Sequence, residues 1–153
     1  MHHYIERLPT PLEYNSLRYA VGWVTFDVDT IERSLEKSVY CICVEYDNEL
    51  IGLGRVVGDG GVCFYIHDVI VLPKFRRKGI GEGIFEHFMK YFSQNATKGS
   101  YIAAMVGKGA ENLYSKYNFW IRPNKILGPG MMQFWDDPDM NAYHNVAESN
   151  DCS

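Results

Sequence analysis

Apolar residues run almost unbroken from Phe64 to Leu72 and are closed by Pro73. The run is rich in branched residues and too short for a comfortable helix, so it predicts a strand buried on both faces. From Ile80 onward the period changes. Ile80, Ile84, Phe85, Phe88, Met89 and Phe92 recur at helical spacing, with Glu82, Glu86, His87 and Lys90 between them.

Upstream, residues 3–8 (HYIERL) alternate like a short edge strand. Thr10-Pro11-Leu12-Glu13 then marks a helix start, with Thr as N-cap, Pro at the first helical position and Glu placed to close a capping box. Gly22 is its stop, and a second capped start at Asp29-Thr30-Ile31-Glu32 follows a connection that carries Trp23 and Phe26. Residues 39–46 and 50–57 predict an antiparallel hairpin through Asp47-Asn48-Glu49, and Asp59-Gly60-Gly61 turns the chain into the 64–72 strand.

Downstream, Tyr101 to Val106 predicts a short buried strand, placed parallel to 64–72 by a right-handed crossover through the helix between them. A short helix around Tyr114 and closing strands at 119–122 and 131–135 complete the pattern. The sum is one α/β (α+β) domain over residues 1–135, with a mixed, mostly antiparallel sheet of about six to seven strands and about four helices.

At 153 residues and 46% hydrophobic content, the chain can bury a sizeable core. No apolar run has the length of a membrane span and the first ten residues lack a secretory segment, so the expectation is a cytoplasmic protein that does not act at a membrane. The net charge of −4 is concentrated at the end: residues 136–153 hold five acidic groups and no Lys or Arg, and read as a disordered acidic tail. The remaining 15 basic and 14 acidic groups nearly cancel, which argues against a nucleic-acid face. Of the four cysteines, Cys41, Cys43 and Cys63 fall in apolar runs and read as small buried hydrophobes; Cys41-x-Cys43 has the wrong spacing for zinc, and no metal is expected.

The junction between the central strand and the long helix is Arg76-Arg77-Lys78-Gly79-Ile80-Gly81. Two glycines allow a sharp turn, and successive N–H groups at the positive end of a helix dipole make a phosphate cradle. A turn that needs glycine only for geometry is the plainer alternative; Lys74, Arg76, Arg77 and Lys78 between a buried strand and an amphipathic helix favour the anion site. No Gly-Lys-Ser/Thr follows, and Gly79-x-Gly81-x-Gly83 has the wrong spacing for a dinucleotide loop.

With the strand ending Val71-Leu72-Pro73, the loop Arg76-x-x-Gly79-x-Gly81 resembles the signature of the GCN5-related N-acetyltransferases. Asn112-Leu113-Tyr114-Ser115-Lys116-Tyr117-Asn118-Phe119, about 35 residues on, resembles that family's second element, with Asn118 where Gly is usual. Asn tolerates the left-handed cap well, so this departure costs little. The resemblance implies strands that splay at their C-terminal ends and acetyl-CoA in the gap, with its pantetheine arm along Val69, Ile70 and Val71. Its pyrophosphate would rest on the amides of Arg77, Lys78, Gly79, Ile80 and Gly81, beside Arg76. An N–H near Ile70 or Val71 would polarise the thioester, and Tyr114 would serve the departing thiolate.

The implied reaction is direct attack of a small-molecule primary amine on acetyl-CoA in a ternary complex. Only about one alkylamine in two thousand is neutral at pH 7, so a base is needed. His67 and Asp68 are adjacent candidates that point to opposite faces unless a bulge intervenes. Imidazole starts nearer the useful pKa, and relatives resembling serotonin N-acetyltransferase place a histidine there; Asp68 would need a shift by burial or a water chain. Glu45 is a weaker third candidate, and Trp23 and Phe26 either plug the core or line the acceptor pocket. Glu82 beside a pyrophosphate must point away. A non-catalytic acyl-CoA sensor of the same fold is the rival reading, and a homodimer is compatible with the pattern.

Overall fold

Five strands form a single sheet in the order β1-β2-β3-β4-β5 in the computed structural model, which describes residues 1–142. The strands are β1 (His3–Ile5), β2 (Tyr40–Tyr46), β3 (Glu49–Gly58), β4 (Cys63–Val71) and β5 (Tyr101–Ala104). The first four are antiparallel neighbours, and β5 runs parallel to β4, as the crossover predicts. The helices are α1 (Pro11–Ala20), α2 (Val28–Leu35), α3 (Ile80–Asn95), α4 (Glu111–Ser115) and α5 (Pro138–Asn141), with a 3-10 turn at Pro73–Phe75.

Local chemistry explains most boundaries. Thr10 and Glu13 close the capping box of α1 reciprocally. α2 starts earlier than its sequence suggests, because Asp27 rather than Asp29 accepts from the Thr30 N–H as N-cap. Asp47 and Asn48, both at positive φ, form the two-residue hairpin turn.

The sheet has helices on both faces. On one, α3 presents Ile80, Ile84, Phe85, Phe88 and Phe92 to Ile42, Val44, Ile51, Val56, Phe64 and Ile66. Gly54 permits this close approach, since a Cβ there would lie 2.5 Å from Ile84 Cγ2 and 2.7 Å from Phe88 Cζ. On the other face, Tyr14 and Leu17 of α1 and Ile31 and Leu35 of α2 cover Cys43, Leu53 and Ile70. Burial pushes the Cys41 thiol up to about 11 and the Cys43 thiol up to about 12, which makes both inert. Cys63, expected inside, is exposed; it begins β4, where the strand leaves its turn.

Two units make up the chain, Met1–Phe119 and Trp120–Ser153. The division falls ahead of the 135/136 boundary read from charge. Residues 119–122 and 131–135, expected as closing strands, carry no ladder among the described residues, so five strands replace the six to seven expected. Asn124, whose side chain accepts from the N–H groups of Ile126 and Leu127, commits this stretch to turns. Asp137 caps α5, so the first part of the expected tail is structured; residues 143–153 lie outside the described residues.

Candidate active site

β4 is the element that builds the site. Its pairing with β5 ends at Ile66↔Ala104, while its pairing with β3 continues to Val71. The two parallel strands therefore part at their C-terminal ends, leaving residues 67–71 without a partner on the β5 side. Below that gap lies a groove of about 720 Å³, walled by Val69, Ile70 and Val71 on one side and by Met105, Gly107 and Tyr114 on the other. Its floor is the basic loop.

Gly79 stands at φ +78° as the N-cap of α3, two residues after Arg77 at φ +58°. This pair of left-handed residues turns the loop under the helix start, where the first-turn amides have no intrahelical acceptor. Arg76, Arg77, Gly79, Ile80 and Gly81 all line the groove. Lys78 does not: its ammonium lies over the Phe75 ring, 5.3 Å from the centroid. Glu82 lines the groove, but its carboxylate is tied to Lys116 at 2.8 Å, a bond that holds its pKa below the usual range. Arg76 returns its Nε to the Val71 carbonyl at 3.1 Å and so braces the end of β4.

A register shift decides the geometry of the candidate base. Arg55 pairs with Asp68 and Val56 with Ile66, so His67 is the extra residue of a β-bulge. Before it, Phe64 and Ile66 face α3; after it, Ile70 faces α1 and α2. The bulge inverts the strand's alternation and brings His67 and Asp68 onto one face, with His67 Nδ1 3.0 Å from Asp68 Oδ2.

Asp68 is fully buried and its oxygens are taken. Arg18 Nη1 donates to Oδ1 at 3.0 Å and the Tyr14 hydroxyl to Oδ2 at 2.9 Å, while Arg55 Nη1 stands 3.5 Å from Oδ2 and 3.2 Å from His67 Nδ1. Burial alone would raise the carboxyl's pKa. The hydrogen bond and charge of His67, the Arg18 guanidinium and the Tyr14 hydroxyl outweigh it and hold the group below the ordinary range. Burial therefore does not lift Asp68 toward the pKa of a base at neutral pH, and Asp68 lines neither cavity. Tyr14 is pushed up to about 12, by burial first and by the Asp68 charge second.

His67 sits at the meeting point of two cavities. It lines the groove and also a smaller pocket of about 270 Å³ under α2, walled by Tyr14, Phe26, Thr30, Ile31, Ser34, Arg55 and Val57. Trp23 lines the groove and Phe26 the pocket, with the Arg18 guanidinium 5.4 Å from each ring. Asn15 clamps the Phe26 backbone by accepting its N–H at 3.1 Å and donating to its carbonyl at 2.7 Å. Glu45, the weaker candidate for base and for substrate contact, lines neither cavity, and Arg7 holds its carboxylate at 2.7 Å.

Tyr114 is buried against Phe85 and Phe119, yet it lines the groove. Burial, then the neighbouring Tyr65 and Asp68, push its phenol up to about 12. Tyr117 instead packs its ring on Phe85 and donates to the Glu82 carbonyl at 3.1 Å.

Comparison with known proteins follows the same lines. The Acetyltransferase (GNAT) family model matches residues 5–119. The chain belongs to the GNAT family. An uncharacterised N-acetyltransferase, ycf52, of Porphyra purpurea is 26% identical over 127 residues, which is 80% of this chain and 70% of that protein. A "Probable Acetyltransferase" of Meticillin-Resistant Staphylococcus aureus superposes with a TM-score of 0.80 at 30% identity, covering 88% of this chain and all of the other. A GNAT acetyltransferase from Elizabethkingia anophelis, solved with acetyl-CoA bound, superposes with a TM-score of 0.58 at 22% identity over 80% of this chain and 78% of its own. This GNAT chain is an acetyl-CoA-dependent acetyltransferase.

The residues that hold the site together, Arg18 and Arg55, escaped sequence reasoning. One signal was there. Arg55 is the only charged residue between Leu50 and Val57, and a charge in an apolar strand calls for a counter-charge across the ladder. Asp68 is that partner, in register.

Proposed function

We propose that this GNAT chain transfers the acetyl group of acetyl-CoA to a primary amine of a small molecule by direct attack, with the thioester in the groove and the amine in the pocket under α2. The observation that carries the reading is the place of His67, whose ring borders both cavities while its Nδ1 is anchored to a buried carboxylate.

Asp68 can only accept at Nδ1 and Arg55 Nη1 can only donate to it; the carboxylate is the shorter contact, 3.0 Å against 3.2 Å, and favours the proton on Nδ1, which leaves the Nε2 lone pair free. Nε2 is the general base that takes the amine's proton, and Asp68, fixed by Arg18 and Tyr14, is the positioning residue that selects the tautomer. The amides at the start of α3 and the Arg76 and Arg77 side chains receive the pyrophosphate. The free edge of residues 69–71 receives the pantetheine arm and polarises the thioester carbonyl.

Tyr114 serves the departing thiolate. A phenol near 12 facing a thiol near 8.5 transfers its proton uphill. It therefore acts as a hydrogen-bond donor to the sulfur rather than as a complete proton source.

The test is thiol release from acetyl-CoA across a panel of primary amines. Turnover with at least one amine, lost in His67→Gln, supports the transferase; acetyl-CoA binding without turnover on any amine favours the sensor.

A further inference from the structure

The pocket under α2 has an electrostatic character that amine acetylation does not by itself require. Two guanidinium groups, Arg55 in its wall and Arg18 behind it, face one carboxylate, Asp68, leaving one net positive charge before His67 takes a proton. All three are withdrawn from water: the side chains are 9%, 7% and 0% exposed. None of the residues lining the pocket is acidic.

The one carboxylate nearby has no capacity left for a second cation, because Arg18, Arg55, Tyr14 and His67 already occupy it. Asp27, Asp29 and Glu32 at α2 are exposed; Asp27 is committed to the Thr30 N–H and hydroxyl, and Arg33 lies 3.5 Å from the same hydroxyl. Exposed charges of this kind are screened by salt, whereas the buried surplus is screened much less.

Resting on the reading of this cavity as the acceptor pocket, we infer that the acceptor is a monoamine whose remaining body is apolar, neutral or anionic, and that the Arg18–Arg55 pair excludes diamines and polycations. The body sits among Phe26, Ile31 and Val57. A second ammonium about 7 Å from the surplus charge is disfavoured roughly 50-fold at an effective dielectric of about 20. The same field favours loss of the proton from the attacking ammonium, so selection and activation come from one arrangement.

Three acceptors of equal length test this: pentylamine, 5-aminopentanoate and 1,5-diaminopentane. Thiol release gives kcat/KM for each, and calorimetry on the CoA-loaded protein ranks their binding independently of turnover. The diamine is expected to fall about 30-fold or more below the other two, and Val57→Glu, which adds a carboxylate to the wall, to narrow the gap to under about 5-fold. Thr30→Glu supplies the second reading if Val57→Glu does not fold.

A diamine within about 3-fold of pentylamine, or failure of both pentylamine and 5-aminopentanoate to bind, overturns the inference. Acetyl-CoA titrated alone separates the two levels. If it binds and the diamine is preferred, only the selectivity fails; if it does not bind, the transferase reading falls and takes this inference with it.

Discussion

Asp68→Asn removes one negative charge from a place where nothing can replace it. The carboxylate is 0% exposed, and the guanidinium groups it neutralises are 9% and 7% exposed, so the variant strands two cations away from water. Breaking a buried ion pair from one side costs about 3–5 kcal/mol. At roughly 2–4 °C per kcal/mol for a chain of this size, the melting temperature should fall by about 6–20 °C.

The pH dependence follows from the direction of the shift. Because the folded carboxyl lies below its ordinary value, its stabilisation is complete above the unfolded pKa of about 3.9 and is lost as pH falls through the lower folded value. Urea unfolding of wild type and variant should therefore show the full gap at pH 7, closing only below about pH 4. Adding Arg18→Met to Asp68→Asn should recover part of the loss, since it removes one stranded charge while keeping apolar bulk. A gap under about 0.5 kcal/mol at pH 7, or one that is the same at pH 7 and pH 3, would refute the account of the cluster.

Three further outcomes are expected. Tyr114→Phe should lower kcat about 10²-fold with KM for acetyl-CoA nearly unchanged. Because the phenol is pushed up to about 12, an alkaline limb centred near pH 10 that vanishes in this variant would contradict its assignment. His67→Gln should lower kcat/KM by about 10²–10³-fold while leaving calorimetric acetyl-CoA binding in place; a loss of binding instead would make His67 a cofactor contact. Gly54→Val puts a side chain where Ile84 Cγ2 lies 2.5 Å from the Cβ position, and urea unfolding should show a loss of at least about 1–3 kcal/mol.

The elements written in local chemistry were legible in the sequence: the Thr10–Glu13 box, the hairpin turn (read as 47–49, with Glu49 already in β3), the 80–92 stripe and the glycine loop each owe their form to residues a few positions apart. The parallel placement of β5 followed from handedness alone. What the sequence did not show depends on register. The β-bulge at His67 arises from how β4 meets β3, so the shared face of His67 and Asp68 remained one of two possibilities. Arg18 reaches Asp68 from fifty positions away, and no periodicity announces such a pair. At 119–122 and 131–135 the apolar residues mimic strands, but Pro123, Asn124 and the Gly128-Pro129-Gly130 turn prevail locally.

The central claim is that the gap between β4 and β5, floored by the Gly79 turn, holds acetyl-CoA. Calorimetric titration of acetyl-CoA into wild type and Gly79→Val tests it most directly, with folding of both checked by unfolding curves. Beyond its chain neighbours, nothing lies within 4 Å of a Cβ at Gly79, so the main cost of the variant is its φ of +78°, a strain of about 1–2 kcal/mol that the fold can survive and the turn cannot. The account predicts saturable heat with wild type and at least about a tenfold weaker affinity with Gly79→Val; no heat with folded wild type, or equal affinity in both proteins, would contradict it.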